Sequence, residues 1–134
     1  MSLEVLFGSI YVLAVAIPLW SLTRLNRFLV ETRSIADQAC LERFKALARA
    51  QMYLALSVIV LMVGGALAGV AVIMRHGLDG IVVVIATNMV VLGLGLYHKK
   101  VEARARSLQA GSEALATEYR RVCGTWVTKA LPDF

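Results

Sequence analysis

The stretch MYLALSVIVLMVGGALAGVAVIM, Met52–Met74, runs for 23 residues without a charge, and five residues later GIVVVIATNMVVLGLGLY, Gly80–Tyr97, runs uncharged for 18 more. An apolar run of roughly 18 residues or more crosses the ~30 Å hydrocarbon core of a bilayer as a helix. Two such runs joined only by Arg75–Asp79 read as a transmembrane hairpin. A third uncharged run, Val5–Leu22, lies toward the N-terminus. Its rival reading is a cleavable signal peptide, which needs a basic leading segment. The first basic residue here is Arg24, after the run, so a retained span is the better reading. The composition agrees: 59% of the 134 residues are hydrophobic and 17% charged, against about 25% charged in ordinary soluble domains.

The net charge is +5, and its placement says more than its size. Of 14 Lys and Arg residues only Arg75 falls in the hairpin turn, and the other 13 flank the opposite ends of the spans. The excess of basic residues in short flanking segments sets orientation. The expected topology is N-terminus outside, three spans at about 5–22, 52–74 and 80–97, and C-terminus in the cytoplasm, in a bacterial inner membrane. In a soluble protein this charge would suggest nucleic acid. Here topogenesis and contact with anionic lipid headgroups account for it, and no nucleic-acid partner is expected. Trp20, Tyr53 and Tyr97 fall at one level, the cytoplasmic boundary, where rings with an apolar body and a polar tip are favoured.

The periodicity carries two of these helices beyond the membrane. Leu41, Phe44, Ala48, Gln51, Ala55 and Val58 alternate in steps of three and four into the second span. Ser34 followed by Asp37 suggests a helix start, so one helix is expected from about Ser34 to Met74. A seam from Val84 and Thr87 through His98, Val101 and Ala105 to Leu108, Ser112, Leu115, Tyr119 and Val122 keeps heptad spacing, which lets helices pack side by side over a distance. The third helix is therefore expected to run on to a stop near Gly124, projecting on the order of 33 Å past the membrane. Pro18 should kink the first helix or end its regular part. The tail Gly124–Phe134 contains Trp126, Leu131 and Phe134 without a period, suited to lying on the membrane surface or docking on a partner. With no internal repeat or linker, residues 1–134 read as one all-α membrane domain: three transmembrane helices, the second and third forming a long antiparallel hairpin with extensions over about 34–51 and 98–123.

Few residues here suit chemistry. Gly64, Gly65, Ala68 and Gly69 give small-xxx-small spacing twice over, which lets helix backbones approach closely where lipid supplies no hydrophobic drive to associate. They fit packing within the chain or a homo-oligomer interface. Thr87 and Asn88 are the strongly polar neighbours inside the third span, and Ser57 lies in the second; they fit an interhelical hydrogen bond or a polar ring in an oligomeric pore. No ionisable side chain lies within the three cores, so a proton pathway would need a carboxylate from a partner. Lys99, Lys100, Arg104 and Arg106, just past the third span, read as an orientation and lipid-headgroup anchor. His98 beside them reads as a surface histidine, and His76 sits alone in the turn. Cys40 and Cys123 read as ordinary thiols of a reducing compartment. No catalytic residue, metal ligand or cofactor is assigned.

The topology resembles that of the stator family of ExbB, TolQ and MotA subunits: an outside N-terminus, a tight outer hairpin and long helices entering the cytoplasm. The segment between the first two spans is shorter here than in that family. The resemblance implies a pore lined by hydroxyl side chains, Thr87 among them, and a partner supplying the carboxylate. A holin, with three spans and an inside C-terminus, is the other pore-forming reading. The leading expectation is a non-catalytic membrane subunit that oligomerises or scaffolds a larger membrane complex, with lipids and other subunits as its partners.

Overall fold

The computed structural model describes residues 2–134. Four helices account for most of the chain: α1 (Leu3–Glu31), α2 (Gln38–His76), α3 (Leu78–Ala105) and α4 (Glu113–Thr128). Between them lie two short strands, β1 (Ser34–Ile35) and β2 (Gln109–Ala110), paired in parallel with Ser34 opposite Gln109 and Ile35 opposite Ala110. The first three helices are long and apolar enough to cross a membrane. They form a bundle with two distinct ends, the hairpin end around Gly77 and the basic end where α4 and both strands gather.

Each boundary has a local cause. Ser2 caps α1, its hydroxyl accepting from the Val5 N–H at 3.3 Å. α1 then continues through Pro18 to Glu31, so the proline does not end it. The second helix begins at Gln38 and not at Ser34. Asp37 is its cap, with Oδ1 accepting from the Cys40 N–H at 2.7 Å, while Ser34 is drawn into the strand pair. At the other end Gly77, at φ +59°, turns the chain between α2 and α3, a conformation that costs glycine nothing. Gly80 then lets the two helices touch. A Cβ there would stand 2.8 Å from the Val72 carbonyl oxygen and 2.9 Å from the Ile73 Cα.

The third helix departs most from expectation. It stops at Ala105, and the heptad seam from Leu108 to Val122 belongs to other elements. Gly111 and Ser112 interrupt it. The Gly111 N–H donates to the Ile35 carbonyl at 2.8 Å, and Ser112 caps a new helix by accepting from the Leu115 N–H at 3.3 Å. Tyr119 then closes the corner. Its hydroxyl donates to the Ala105 carbonyl at 2.7 Å and accepts from the Leu108 N–H at 3.0 Å. The freed end of α3 is thus satisfied by a side chain of the helix that folds back beneath it. The expected straight continuation of α3 is replaced by a return, and α4 runs through Gly124 to Thr128 without stopping there.

The returning helix completes a core at the basic end. Leu22, Leu25 and Phe28 from α1, Ile35 from β1, Leu41, Phe44, Leu47 and Ala48 from α2, Val101 and Ala105 from α3, and Tyr119 and Val122 from α4 are all buried together. Phe44 is its centre, fully buried, with ring centroids 5.9 Å from Phe28, 4.8 Å from Tyr119 and 5.9 Å from Trp126. The tail is part of this core and not a free docking arm. Phe134 packs against it, and the Arg49 Nε donates to the Phe134 main-chain oxygen at 2.7 Å. Lys45, largely covered, joins α2 to α4 through Glu118 at 3.1 Å while holding Glu42 at 2.9 Å. The hairpin end has a smaller core of Phe7, Tyr11, Ala68 and Val72. It is fastened at its rim by Glu4, which reaches Arg75 at 3.3 Å and His76 at 3.2 Å.

Candidate functional site

The small-residue stripe of α2 faces its own chain. Gly65 and Gly69 are buried. A Cβ on Gly65 would lie 3.3 Å from the Tyr11 ring and 3.4 Å from the Ile10 side chain, and one on Gly69 would lie 3.4 Å from Val84 and 3.6 Å from Phe7. Ala68 is buried in the same core, and Gly64 looks more loosely toward Ile10, at 3.8 Å. The stripe therefore seats α1, with Val84 of α3 closing against Gly69. Gly65, Ala68 and Gly69 thus pack within the chain, as one of the two alternatives the spacing allowed, while Gly64 stays partly exposed.

The polar residues of the spans separate in the same way. Asn88 makes the interhelical bond, its Nδ2 donating to the Tyr11 hydroxyl at 2.7 Å and to the Val84 carbonyl of its own helix at 2.7 Å. Thr87 donates back to Val83 and Val84 at 2.8 and 3.0 Å, and Ser57 to Tyr53 at 3.1 Å. Both hydroxyls bond within their own helices; Thr87 shares the Val84 carbonyl with Asn88, while Ser57 lies on α2 and bonds only to Tyr53. Trp20, Tyr53 and Tyr97 are all exposed, 54%, 55% and 54%.

The densest polar cluster lies where the spans meet the basic end, and it draws on three helices. Ser21 of α1 and Gln51 of α2 are each 2% exposed. The Ser21 hydroxyl donates to Gln51 Oε1 and contacts His98 Nε2 of α3 at 3.0 Å, while Gln51 Nε2 returns a bond to the Ser21 carbonyl at 3.3 Å. His98 Nδ1 lies 3.3 Å from Glu102 Oε1. His98 is therefore not a surface histidine. Its side chain is only 16% exposed, and both ring nitrogens are engaged. Gln51 had a signal in the sequence, as the one amide on an otherwise apolar seam. Ser21 had none.

Serine, histidine and glutamate in this order match the nucleophile, base and orienting carboxylate of acyl transfer. Here the serine is buried, its hydroxyl donates to Gln51 Oε1, and Gln51 Nε2 donates to the Ser21 carbonyl. Buried polar groups that satisfy one another fix a unique arrangement of the elements that carry them. We read the cluster as the lock that sets the rotation of α1, α2 and α3 against each other.

The basic stretch after the third span is divided by the break in α3. Lys99, Lys100 and Arg104 are exposed. Arg106 is not part of that surface: it sits half-buried at the corner, its Nε buried without a hydrogen-bond partner. Nearby, burial pushes the Cys123 thiol and the Tyr119 hydroxyl above their ordinary pKa values. Among the described residues no group of three or more His, Cys, Asp or Glu converges on a point.

Two open grooves flank α3. One, about 280 Å³, runs from Ser21, Gln51 and His98 along Pro18, Leu54 and Val58. The larger, about 590 Å³, lies mainly along α3, lined by Val84, Asn88, Met89, Leu92 and Gly95 with Met62 of α2, and shares Gly95 and Lys99 with the first. Comparison with protein-family models, with curated proteins and with solved structures found no match to this chain.

Proposed function

We propose that this chain is a non-catalytic integral membrane subunit, N-terminus out and C-terminus in, that joins a larger assembly through the uncovered side of α3. The observation that carries this reading is the imbalance among the three long helices. α1 and α2 cover each other through Phe7 and Tyr11 on one side and Gly65, Ala68, Gly69 and Val72 on the other. α3 contributes only Gly80, Val101 and Ala105 to the buried set, all toward its two ends. Along its middle, Val82, Met89 and Leu96 are 66%, 64% and 63% exposed, beside the 590 Å³ cleft. In water such a face would be untenable. In a membrane it meets lipid or another helix, and a cleft between two helices favours a helix. The basic end, with its own core, presents a folded body on one side of the bilayer as a second docking surface.

The test has two stages. Alkaline carbonate should leave the chain in the membrane pellet, and Cys123 should be shielded from impermeant thiol reagents added outside the cell. Extraction by carbonate, or labelling of Cys123 from outside, would overturn insertion or orientation. Filling the cleft with Leu92→Trp or Gly95→Leu should then lower the mass of the assembly on a native gel; an unchanged mass would sink the α3 interface. A pore-forming reading, stator-like or holin-like, draws support from Asn88, whose side chain lines the same cleft. It predicts dye leakage from liposomes that Asn88→Leu alters, and intact liposomes would dismiss it.

A further inference from the structure

We infer that the groove between α1 and α2 at the basic end binds the headgroup of one anionic phospholipid, with the phosphate held between Arg24 and Arg27. This rests on the membrane reading above. Trp20, Arg24, Arg27 and Glu31 follow one another at steps of four, three and four, so they form one stripe of α1. That stripe flanks the buried one of Leu22, Leu25 and Phe28. Across the groove, which measures about 260 Å³, stands Arg43 of α2.

Depth places the arginines at the headgroups. With a rise of about 1.5 Å per residue, Arg24 lies roughly 3 Å and Arg27 roughly 7.5 Å past Leu22, the last residue of the apolar run. The headgroup layer on each side of a bilayer is about 5–7 Å thick. Trp20 sits one turn higher with the Arg24 guanidinium 5.0 Å from its ring centroid, and its exposed ring is positioned to lie against the first methylenes of an acyl chain.

Charge selects the class of lipid. The groove holds three guanidinium groups and one carboxylate, 3 − 1 = +2. Glu31 is already taken by Arg43 at 2.7 Å. Among the described residues no carboxylate lies within ion-pair distance of Arg24 or Arg27. A zwitterionic headgroup would carry its ammonium into a groove whose only carboxylate is engaged. A phosphodiester with an uncharged headgroup, as in phosphatidylglycerol, brings the needed negative charge and no cation. Guanidinium planes grip phosphate oxygens in pairs, and basic pockets between membrane helices on the cytoplasmic side are suited to anionic lipids. This groove lies on α1 and α2, apart from the Lys99–Lys100–Arg104 surface of α3.

The experiment uses the full chain, purified in mild detergent, with lipid retention read by native mass spectrometry as phosphatidylglycerol or phosphatidylcholine is added. The parent should retain phosphatidylglycerol well above phosphatidylcholine. Arg24→Gln with Arg27→Gln should reduce that retention roughly thirty-fold, the loss expected for two basic residues at an anionic surface, with the circular-dichroism spectrum and melting temperature kept. Glu31→Gln, which frees Arg43, should raise it. Lys99→Gln with Lys100→Gln should leave the retained lipid in place. Equal retention of the two lipids by the parent, or undiminished phosphatidylglycerol on the Arg24/Arg27 variant, would overturn the site. Displacement of the lipid by millimolar inorganic phosphate would reassign it to free phosphate. Carbonate extraction of each variant separates this failure from failure of the membrane reading, because a lost lipid site leaves the chain in the pellet.

Discussion

The two ends of this bundle are built from the same three helices and are held together by different means. At the basic end twelve buried residues from all four helices and β1 share one core around Phe44. At the hairpin end four residues from two helices do so, with Val84 and Val91 of α3 resting against them. Water explains the first. Burying a large apolar side chain there is worth roughly 1.5–3 kcal/mol, and α4 and the tail both return to cover what α1, α2 and α3 leave open. On the membrane reading, lipid explains the second. Hydrocarbon gives helices no hydrophobic reason to associate, so what remains is close approach at Gly65, Gly69 and Gly80, the Asn88–Tyr11 bond, and the ion pairs of Glu4 at the rim. The Ser21–Gln51–His98 lock lies where one regime gives way to the other.

The sharpest way to break this comparison is to remove the ring at the centre of the basic end. Phe44→Ala should cost about 3–5 kcal/mol, seen as loss of cooperative unfolding in urea, while carbonate still leaves the chain in the membrane. If both ends failed together, the division would be wrong. Gly65→Leu addresses the other end. Its side chain would collide with Tyr11 and Ile10, so the melting temperature should fall by the equivalent of about 1–3 kcal/mol with no loss of assembly mass on a native gel. A normal melt with a lower mass would return the stripe to an intermolecular role. Tyr119→Phe removes both hydrogen bonds at the corner between α3 and α4. It should cost about 1–3 kcal/mol through the unpaired main-chain groups, with amide exchange accelerating at Leu108 ahead of the spans. Asn88→Leu should cost only about 0.6 kcal/mol, the average for a polar contact between membrane helices, and a loss above about 2 kcal/mol would mean the residue carries more than the Tyr11 bond.

The smallest effect should come from acid. Glu118 is held below the usual carboxylate range by Arg121 first and Lys45 second, and Glu42 by its hydrogen bond to Lys45. A carboxylate with a depressed folded pKa stabilises fully above its unfolded value, about 4.3 for Glu, and loses that contribution as pH falls through the folded value. Acidification below about pH 4 should therefore loosen α4 slightly, read as a shift in Trp126 fluorescence in a Trp20→Phe background. Lys45→Met should flatten that response. An identical pH profile in the variant would remove the Lys45 link from the account.

The sequence was most legible where physics is one-dimensional. Apolar run length is enough to place α1, α2 and α3 and the turn at Gly77, because a spanning helix needs little beyond its own residues. It was least legible where the chain meets itself across a distance. The Leu108–Val122 seam is real, yet it is the buried stripe of a returning helix and not of a continuing one. Period alone cannot separate the two, while Gly111-Ser112-Glu113 carried the helix-start signal that does. Ser34 resembled a cap until pairing with Gln109 claimed its backbone. Of the site residues, Gly65 and Gly69 stood out by their small-xxx-small spacing and Asn88 because an amide is unusual in a span. His98 did not, because its partners Ser21 and Gln51 lie far away in sequence and only the fold brings them to it.

The parallel pair of Ser34–Ile35 with Gln109–Ala110 has a consequence in time. Its first strand leaves the ribosome long before its second, with two complete apolar helices synthesised in between. The connection after α1 cannot be pinned until the hairpin has been made and the chain has come back. Closure of the basic end is thus an event of the last stage of biogenesis. A nascent chain halted before residue 109 would lack both the partner of Ser34–Ile35 and the Tyr119 and Trp126 rings that pack on Phe44.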